Sequence, residues 1–258
     1  MKAMILAAGL GTRLRPLTDD RPKALVEVAS RTMLEIALSR LRACGVREVI
    51  INVHHFAGMI LDFLKANANF GLRIEVSREQ VLLDTGGGLK QAAWFFLEDS
   101  RRLEEPFILH NVDVISTIDL RRMVQFHADQ QALATLAVQE RETSRYLLFN
   151  QQLQLCGRRS GHDEKPEVVR SSGQLQARAF SGIHVISPRL LAMMTEEGAF
   201  SIITSYLHLA AHGEKIVSFG ADEYYWRDLG TPDSVRQAAQ EIGSGAVFDG
   251  APGSPAFG

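Results

Sequence analysis

The 258 residues carry 28 Lys and Arg against 30 Asp and Glu, a formal net charge of −2, so no chain-wide field draws nucleic acid or an anionic membrane, and phosphate binding must be local. That length admits one large domain with a substantial core. Cys44 and Cys156 lie far apart without CxxC spacing, which reads as reduced thiols of a cytoplasmic protein rather than a disulfide framework or a metal site.

The apolar stretch at 3–8 runs directly into Gly, Arg and Pro, too short for a signal core or a membrane span. It is read instead as a first strand, about Lys2–Ala7, followed by a polar loop at 8–22. Thr32-Met33-Leu34-Glu35 has capping-box form, and Leu34, Leu38 and Leu41 make a helical stripe. Next come a strand at Glu48–Val53, an amphipathic segment with Ile60, Leu61 and Leu64, a strand at Leu72–Ser77, a Gly-Gly-Gly loop and a helix through Trp94. A strand at Phe107–His110 ends at Asn111-Val112-Asp113. Beyond residue 130 the pattern predicts strands at Ala134–Gln139, Tyr146–Phe149 and Leu153–Cys156, a polar loop from Arg158 to Gln176, and a strand at Phe180–Ile186. Helices near Pro188–Thr195 and Ile202–His212, a strand at Lys215–Phe219 and Trp226-Arg227-Asp228 precede a last helix with Thr231 as N-cap and Pro232 at its first position.

Alternation of this kind predicts an α/β fold of three layers, a mostly parallel central sheet with helices on both faces. In such sheets ligands lie beyond the carboxyl ends of the strands, so the loops at 8–22, 78–88 and 111–113 should share one rim. The reading is one domain over 1–242 and a loose tail, 243–258, rich in Gly, Pro, Ser and Ala.

Residues 6–25, LAAGLGTRLRPLTDDRPKAL, carry the strongest chemical signal. Gly9 and Gly11 let the backbone turn and aim amides at phosphate oxygens. Arg13 supplies a planar fork of donors, and Lys23, behind Pro22, a second positive charge. The Walker pattern GxxxxGK[ST] is absent, and a dinucleotide fingerprint would need Gly where Leu14 stands.

LAAGLGTRLRPLT with PKAL resembles the signature of the sugar-phosphate nucleotidyltransferase family. Agreement continues through LLDTGGGL (82–89), NVD (111–113), FSGIHVISP (180–188) and WRDLGTP (226–232). The LDTGGGL form resembles the uridylyltransferases acting on N-acetylmuramate 1-phosphate and the branch using heptose 1-phosphates. The resemblance implies the Rossmann-like nucleotidyltransferase fold, with a nucleotide half at about 1–115 and an acceptor half at about 116–242. It implies Mg²⁺-dependent transfer of a nucleoside monophosphate from a nucleoside triphosphate to a sugar 1-phosphate by a monomer or small homo-oligomer.

Residue by residue, the resemblance places Gly9, Gly11 and Thr12 on the triphosphate, Arg13 on the leaving pyrophosphate and Lys23 on the phosphates near the reacting centre. It places Ala8, Thr85, Gly86 and Gly87 against the base, and Asp113 and Asp228 on Mg²⁺. Magnesium takes one or two carboxylates and fills its octahedron with water and phosphate oxygens, so two aspartates suffice. Glu164-Lys165-Pro166 matches an acceptor-side Glu-Lys-Pro motif, although no strand pattern leads into it, and Gly182 is a second acceptor-site candidate. Val112 stands where the family commonly has Gly. His127 shares a helical stripe with Leu120 and Met123, which predicts a structural role, and Phe95-Phe96 reads as core. Two alternatives stay open: a cytidylyltransferase for phosphocholine or another small alcohol phosphate, and a non-catalytic nucleotide-sugar sensor.

Overall fold

A computed structural model describes residues 1–99, 104–161, 165–170 and 173–243. In chain order these form β1 (Lys2–Leu6), β2 (Glu27–Val28), β3 (Arg31–Thr32), α1 (Met33–Ala43), β4 (Glu48–Val53), α2 (Ala57–Ala66), β5 (Arg73–Arg78), α3 (Asp84–Gln91), α4 (Ala93–Leu97), β6 (Phe107–Asn111) and β7 (Val114–Ser116). There follow α5 (Leu120–Gln130), β8 (Ala134–Gln139), β9 (Arg145–Phe149), β10 (Leu155–Ser160), β11 (Glu167–Val168), β12 (Gln176–Ile186), α6 (Arg189–Met193), α7 (Ile202–Ala211), β13 (Ile216–Gly220), β14 (Trp226–Asp228) and α8 (Pro232–Gly243). The α/β expectation holds. Among the described residues no helix is long and apolar enough to cross a membrane.

The chain divides into two compact units. The first holds Met1–Leu82, His110–Asp119 and the described part of Glu223–Gly258; the second holds Leu83–Leu109 and Leu120–Asp222. In the first, β1 pairs in parallel with β4, from Lys2 opposite Glu48 to Leu6 opposite Asn52, and β4 pairs in parallel with β5. Parallel neighbours need a long crossover, which α1 and α2 supply. Helix α1 starts where expected, because the Thr32 side chain accepts the Glu35 N–H at 3.1 Å. Leu34, Leu38 and Leu41 on its apolar stripe are fully buried. Thr231 likewise caps α8, accepting the Ser234 N–H at 3.2 Å.

In the second unit β12 is the organising strand. It pairs antiparallel with β9 through Gln176–Ala179 and with β8 through Ala179–Ile186, the latter register shifting between Phe180 and His184. Strand β13 adds to β8 in parallel, and β10 lies antiparallel to β9. Phe95 and Phe96 are core residues, and Phe96 stacks on Phe107 with centroids 3.8 Å apart.

Two expectations are corrected here. The stretch at 158–176 is not all loop, since β10 runs on to Ser160 and β11 pairs with it at Glu167 and Val168. The three glycines expected in a loop lie inside helix α3. Glycine disfavours helix by about 1 kcal/mol relative to alanine, and tight packing offsets that cost. The missing side chain of Gly86 leaves room for the Phe200 ring, and that of Gly87 for the Gly198 carbonyl.

His127 is buried on α5 between two hydroxyls, with Nδ1 3.0 Å from Thr135 Oγ1 and Nε2 3.1 Å from Ser187 Oγ. Ser187 spends its hydroxyl proton on the Ala132 carbonyl at 2.9 Å. Nε2–H of the neutral ring therefore donates to Ser187, and Nδ1 accepts from Thr135. Burial pushes the imidazole down from its ordinary 6.5 to about 4. A folded-state value below the unfolded one gives stability that is complete above pH 6.5 and lost as pH falls through about 4. The thermal midpoint should therefore drop between pH 6.5 and 4, and His127→Gln should flatten that drop while costing about 1–3 kcal/mol at pH 7. Melting curves across this range check it; an unchanged acid slope in the variant would count against the assignment.

Candidate functional site

The first unit gathers the charged residues that the sequence singled out. After β1 the chain turns at Gly11, whose φ of 65° is left-handed, into a short 3₁₀ turn at Thr12–Leu14. A β-carbon on Gly11 would lie 2.9 Å from the Thr18 methyl and 3.2 Å from Lys23 Cβ, so a side chain is excluded by both backbone and space. The loop is tied down by the Thr18 hydroxyl donating to the Gly11 carbonyl at 2.9 Å. At its start the Ala7 N–H donates to buried Asn52 Oδ1 at 2.7 Å, and Asn52 Nδ2 donates to Glu79 Oε1 at 2.7 Å. Gly9, Thr12 and Arg13 are exposed, while Ala8 is buried.

Lys23 opens a second 3₁₀ turn, Lys23–Leu25, and its ammonium pairs with the Asp113 carboxylate. Asp113 sits between β6 and β7, and β14 pairs antiparallel with β7, setting Asp228 opposite Val114. The Leu229 N–H donates to the Asp113 carbonyl at 2.8 Å, locking the two acid-bearing segments together. Asp228 Oδ1 accepts the Gly230 N–H at 2.8 Å. A β-carbon on Gly230 would lie 2.6 Å from that same oxygen and 2.8 Å from a guanidinium nitrogen of Arg13. Arg13, Lys23, Asp113 and Asp228 are thus brought together.

Electrostatics reflect the crowding. Burial first, and then the charge of Asp113, push the Asp228 carboxyl above the usual aspartate range, while Lys23, the Gly230 N–H and Arg13 pull it back. Next to this group His110 is fully buried, its Nδ1–H donating to the Asn111 carbonyl at 2.7 Å. Burial, and after it the Arg40 guanidinium, hold that imidazole down to about 4. It is a neutral structural ring at physiological pH.

The second unit carries the remaining candidates. Gly86 and Gly87 are buried in α3, and their N–H groups donate to the Phe200 carbonyl at 2.9 and 3.3 Å. Thr85 Oγ1 accepts the Ile202 N–H at 3.0 Å. Gly182, with φ 73°, lies buried where β12 shifts register against β8. Lys165 is exposed just before β11, and Glu164 lies outside the described residues.

Sequence reasoning missed the roles of Asn52, Thr18 and Gly230. Gly230 lay in plain view inside WRDLGTP, but its closeness to Arg13 has no local signature.

The α/β fold assembles a Gly-rich turn, two cations and two acids in one unit, and the family to which the chain belongs makes it a nucleotidyltransferase. The chain belongs to the nucleotidyl transferase family, whose model matches residues 2–245. It is 34% identical over 252 residues to the N-acetylmuramate alpha-1-phosphate uridylyltransferase of Caulobacter vibrioides, covering 93% of this chain and 96% of that one. It is also 34% identical over 193 residues to mannose-1-phosphate guanylyltransferase 1 of Arabidopsis thaliana, covering 74% of this chain and 51% of the relative, about half of its length. Among solved structures, HddC from Yersinia pseudotuberculosis matches with a TM-score of 0.73 at 21% identity, covering 93% of this chain and 99% of that one. A putative glucose-1-phosphate thymidylyltransferase from Bacillus anthracis matches with a TM-score of 0.76 at 20% identity, covering 98% of each chain. At those identities the structural likeness shows the fold alone.

Because the Gly198 carbonyl occupies the space of a Gly87 side chain, Gly87→Ala should force the backbone apart and destabilise the protein by about 1–3 kcal/mol. Denaturant unfolding reads this directly, and a wild-type midpoint would show that the helix tolerates a methyl group there.

Proposed function

We propose that the protein transfers a nucleoside monophosphate from a nucleoside triphosphate to a sugar 1-phosphate, releasing pyrophosphate, with Mg²⁺ held by Asp113 and Asp228. The carrying observation is the convergence of Arg13, Lys23, Asp113 and Asp228 within one unit. The donor set fits magnesium. Among the described residues no three His, Cys, Asp or Glu side chains converge on a metal position, so a closed protein cage is lacking. Magnesium completes its shell with substrate phosphates instead. The Asp228 carboxyl is pushed up first by burial and then by the Asp113 charge, and a dication would relieve the second of these. When bound, the ion would neutralise charge on the triphosphate and the acceptor.

The protein's own groups do the rest. Gly9, Gly11 and Thr12 present an exposed turn to the triphosphate, and Ala8 lies at its root against the base. Thr85, Gly86 and Gly87 are the second unit's candidates for contact with the base, and because the two glycine amides already serve the Phe200 carbonyl, they would act by close approach rather than by amide donation. Arg13 binds the departing pyrophosphate as a fork. Lys23 rests on Asp113, and an arriving triphosphate offers its ammonium a competing anion. The acceptor needs no general base, since a phosphomonoester with a second pKa of about 6 is already largely ionised at neutral pH. Its oxygen attacks the α-phosphorus in line as the bond to the β-phosphate oxygen breaks. Positioning and neutralisation therefore supply the catalysis. Gly182 and Lys165 are the described candidates for the acceptor side.

A panel of four nucleoside triphosphates against several sugar phosphates, scored for Mg²⁺-dependent pyrophosphate, tests the reading. UTP with N-acetylmuramate α-1-phosphate heads it, supported by the end-to-end match to the Caulobacter relative, and CTP with phosphocholine probes the alternative acceptor class. Asp113→Asn and Asp228→Asn should each lower release roughly a hundredfold or more while circular dichroism stays native. Near-normal release by either variant in Mg²⁺ overturns the metal assignment.

A further inference from the structure

Asp228 and Arg227 are neighbours on a strand of three residues, so their side chains leave opposite faces. Asp228 turns to Arg13 and Gly230, whereas Arg227 turns to helix α8. Its Nη2 donates to Glu241 Oε1 at 2.5 Å, its Nε to Glu241 Oε2 at 3.1 Å, and its Nη1 to Gln237 Oε1 at 2.7 Å. The Tyr225 hydroxyl donates to Glu241 Oε2 at 2.6 Å and accepts a 3.2 Å bond from Arg227 Nε. This is a fork-to-fork pair, the ion-pair geometry with the greatest directional demand. The strand that carries Asp228 is pinned on three sides. Ladder pairing to β7 holds one edge. Reciprocal bonds of 3.0 Å between Tyr225 and Thr117 hold its beginning. The Arg227–Glu241 fork holds the face opposite the acid.

Strand β14 is too short to fix its own orientation. With only three residues paired to another three-residue strand, it lacks the long ladder that stiffens β1, β4 and β5. Rotation of the strand about its axis would move the Asp228 carboxylate off its bond to the Gly230 N–H. The side chains behind it are therefore the parts able to set its aim. Burial, together with the Glu241 contact, pushes the Tyr225 phenol up to about 12, so the phenol stays a donor at every working pH.

We infer that Arg227, Glu241 and Tyr225 form a positioning clamp that aims Asp228 at the metal position, acting through the opposite face of β14. This rests on the reading of Asp228 as a magnesium ligand. A clamp that merely docked α8 would affect stability but leave metal affinity in the folded fraction unchanged.

The test uses the full chain and Mn²⁺ as the probe ion, with bound and free Mn²⁺ counted by electron paramagnetic resonance in the presence of UTP alone. Arg227→Met keeps the aliphatic stem and removes the fork; Mn²⁺ affinity should fall about tenfold after correction for any unfolded fraction. Tyr225→Phe removes one hydrogen bond and guards against a folding failure of the first variant. It should weaken Mn²⁺ in the same direction, by roughly two- to fivefold for a bond worth about half to one kcal/mol. Combining Arg227→Glu with Glu241→Arg should recover most of the lost affinity. Unchanged Mn²⁺ affinity in both folded single variants overturns the clamp, and so does a loss that tracks only the unfolded fraction. Asp228→Asn is the control that separates the two readings. If it leaves Mn²⁺ binding intact, the magnesium assignment itself fails; if it abolishes binding while Arg227→Met does not, the clamp alone fails.

Discussion

The structure of the site rests on holding two acids together on neighbouring strands. Asp113 leads into β7 and Asp228 ends β14, and the β7–β14 ladder with the Leu229 to Asp113 bond keeps both segments in register. Burial first, and then the like charge of Asp113, which repels more in a partly buried place than in water, push the Asp228 carboxyl up. Lys23 on Asp113, and Arg13 across Gly230 from Asp228, offset that repulsion in the resting protein. These are the same cations that phosphoryl chemistry requires, so one set of charges balances the free site and serves the proposed reaction.

Around those charges the backbone is held by neutral bonds. Asn52 fixes the amide of Ala7 where the first strand gives way to the loop, and Thr18 fixes the carbonyl of Gly11 within it. Both bonding partners are buried, where an unmade hydrogen bond is costly, and this discourages alternative loop geometries. Preorganised donors spend little reorganisation energy when charge moves. The loop stays exposed at Gly9 and Thr12 while anchored at its root and its far end.

Glycine serves a different purpose in each unit. Gly11 turns the chain with a left-handed φ. Gly86 and Gly87 sit in regular helix and are small because Phe200 and Gly198 press against them. Lys90 donating to the Glu196 carbonyl at 2.6 Å holds the segment that contributes both contacts. A run of glycines in a sequence thus reports a need for closeness without saying whether a ligand or the protein itself comes close.

Much was legible in the letters. Strands Glu48–Val53 and Ala134–Gln139 stand where apolar runs placed them, the Thr32 and Thr231 caps formed, and His127 is structural, because periodicity and capping are local and burial follows them. Arg13, Lys23, Asp113 and Asp228 could be named from their motifs, since each motif keeps its local chemistry on the page. Tertiary structure alone decided the helix through Gly86 and Gly87, the nearness of Gly230 to Arg13, and the Arg227–Glu241 fork behind Asp228. These contacts join segments distant in the chain, and their geometry depends on which surfaces meet when the core closes. Local propensity carries no record of that, so the sequence determined the chemical parts and packing decided where they point.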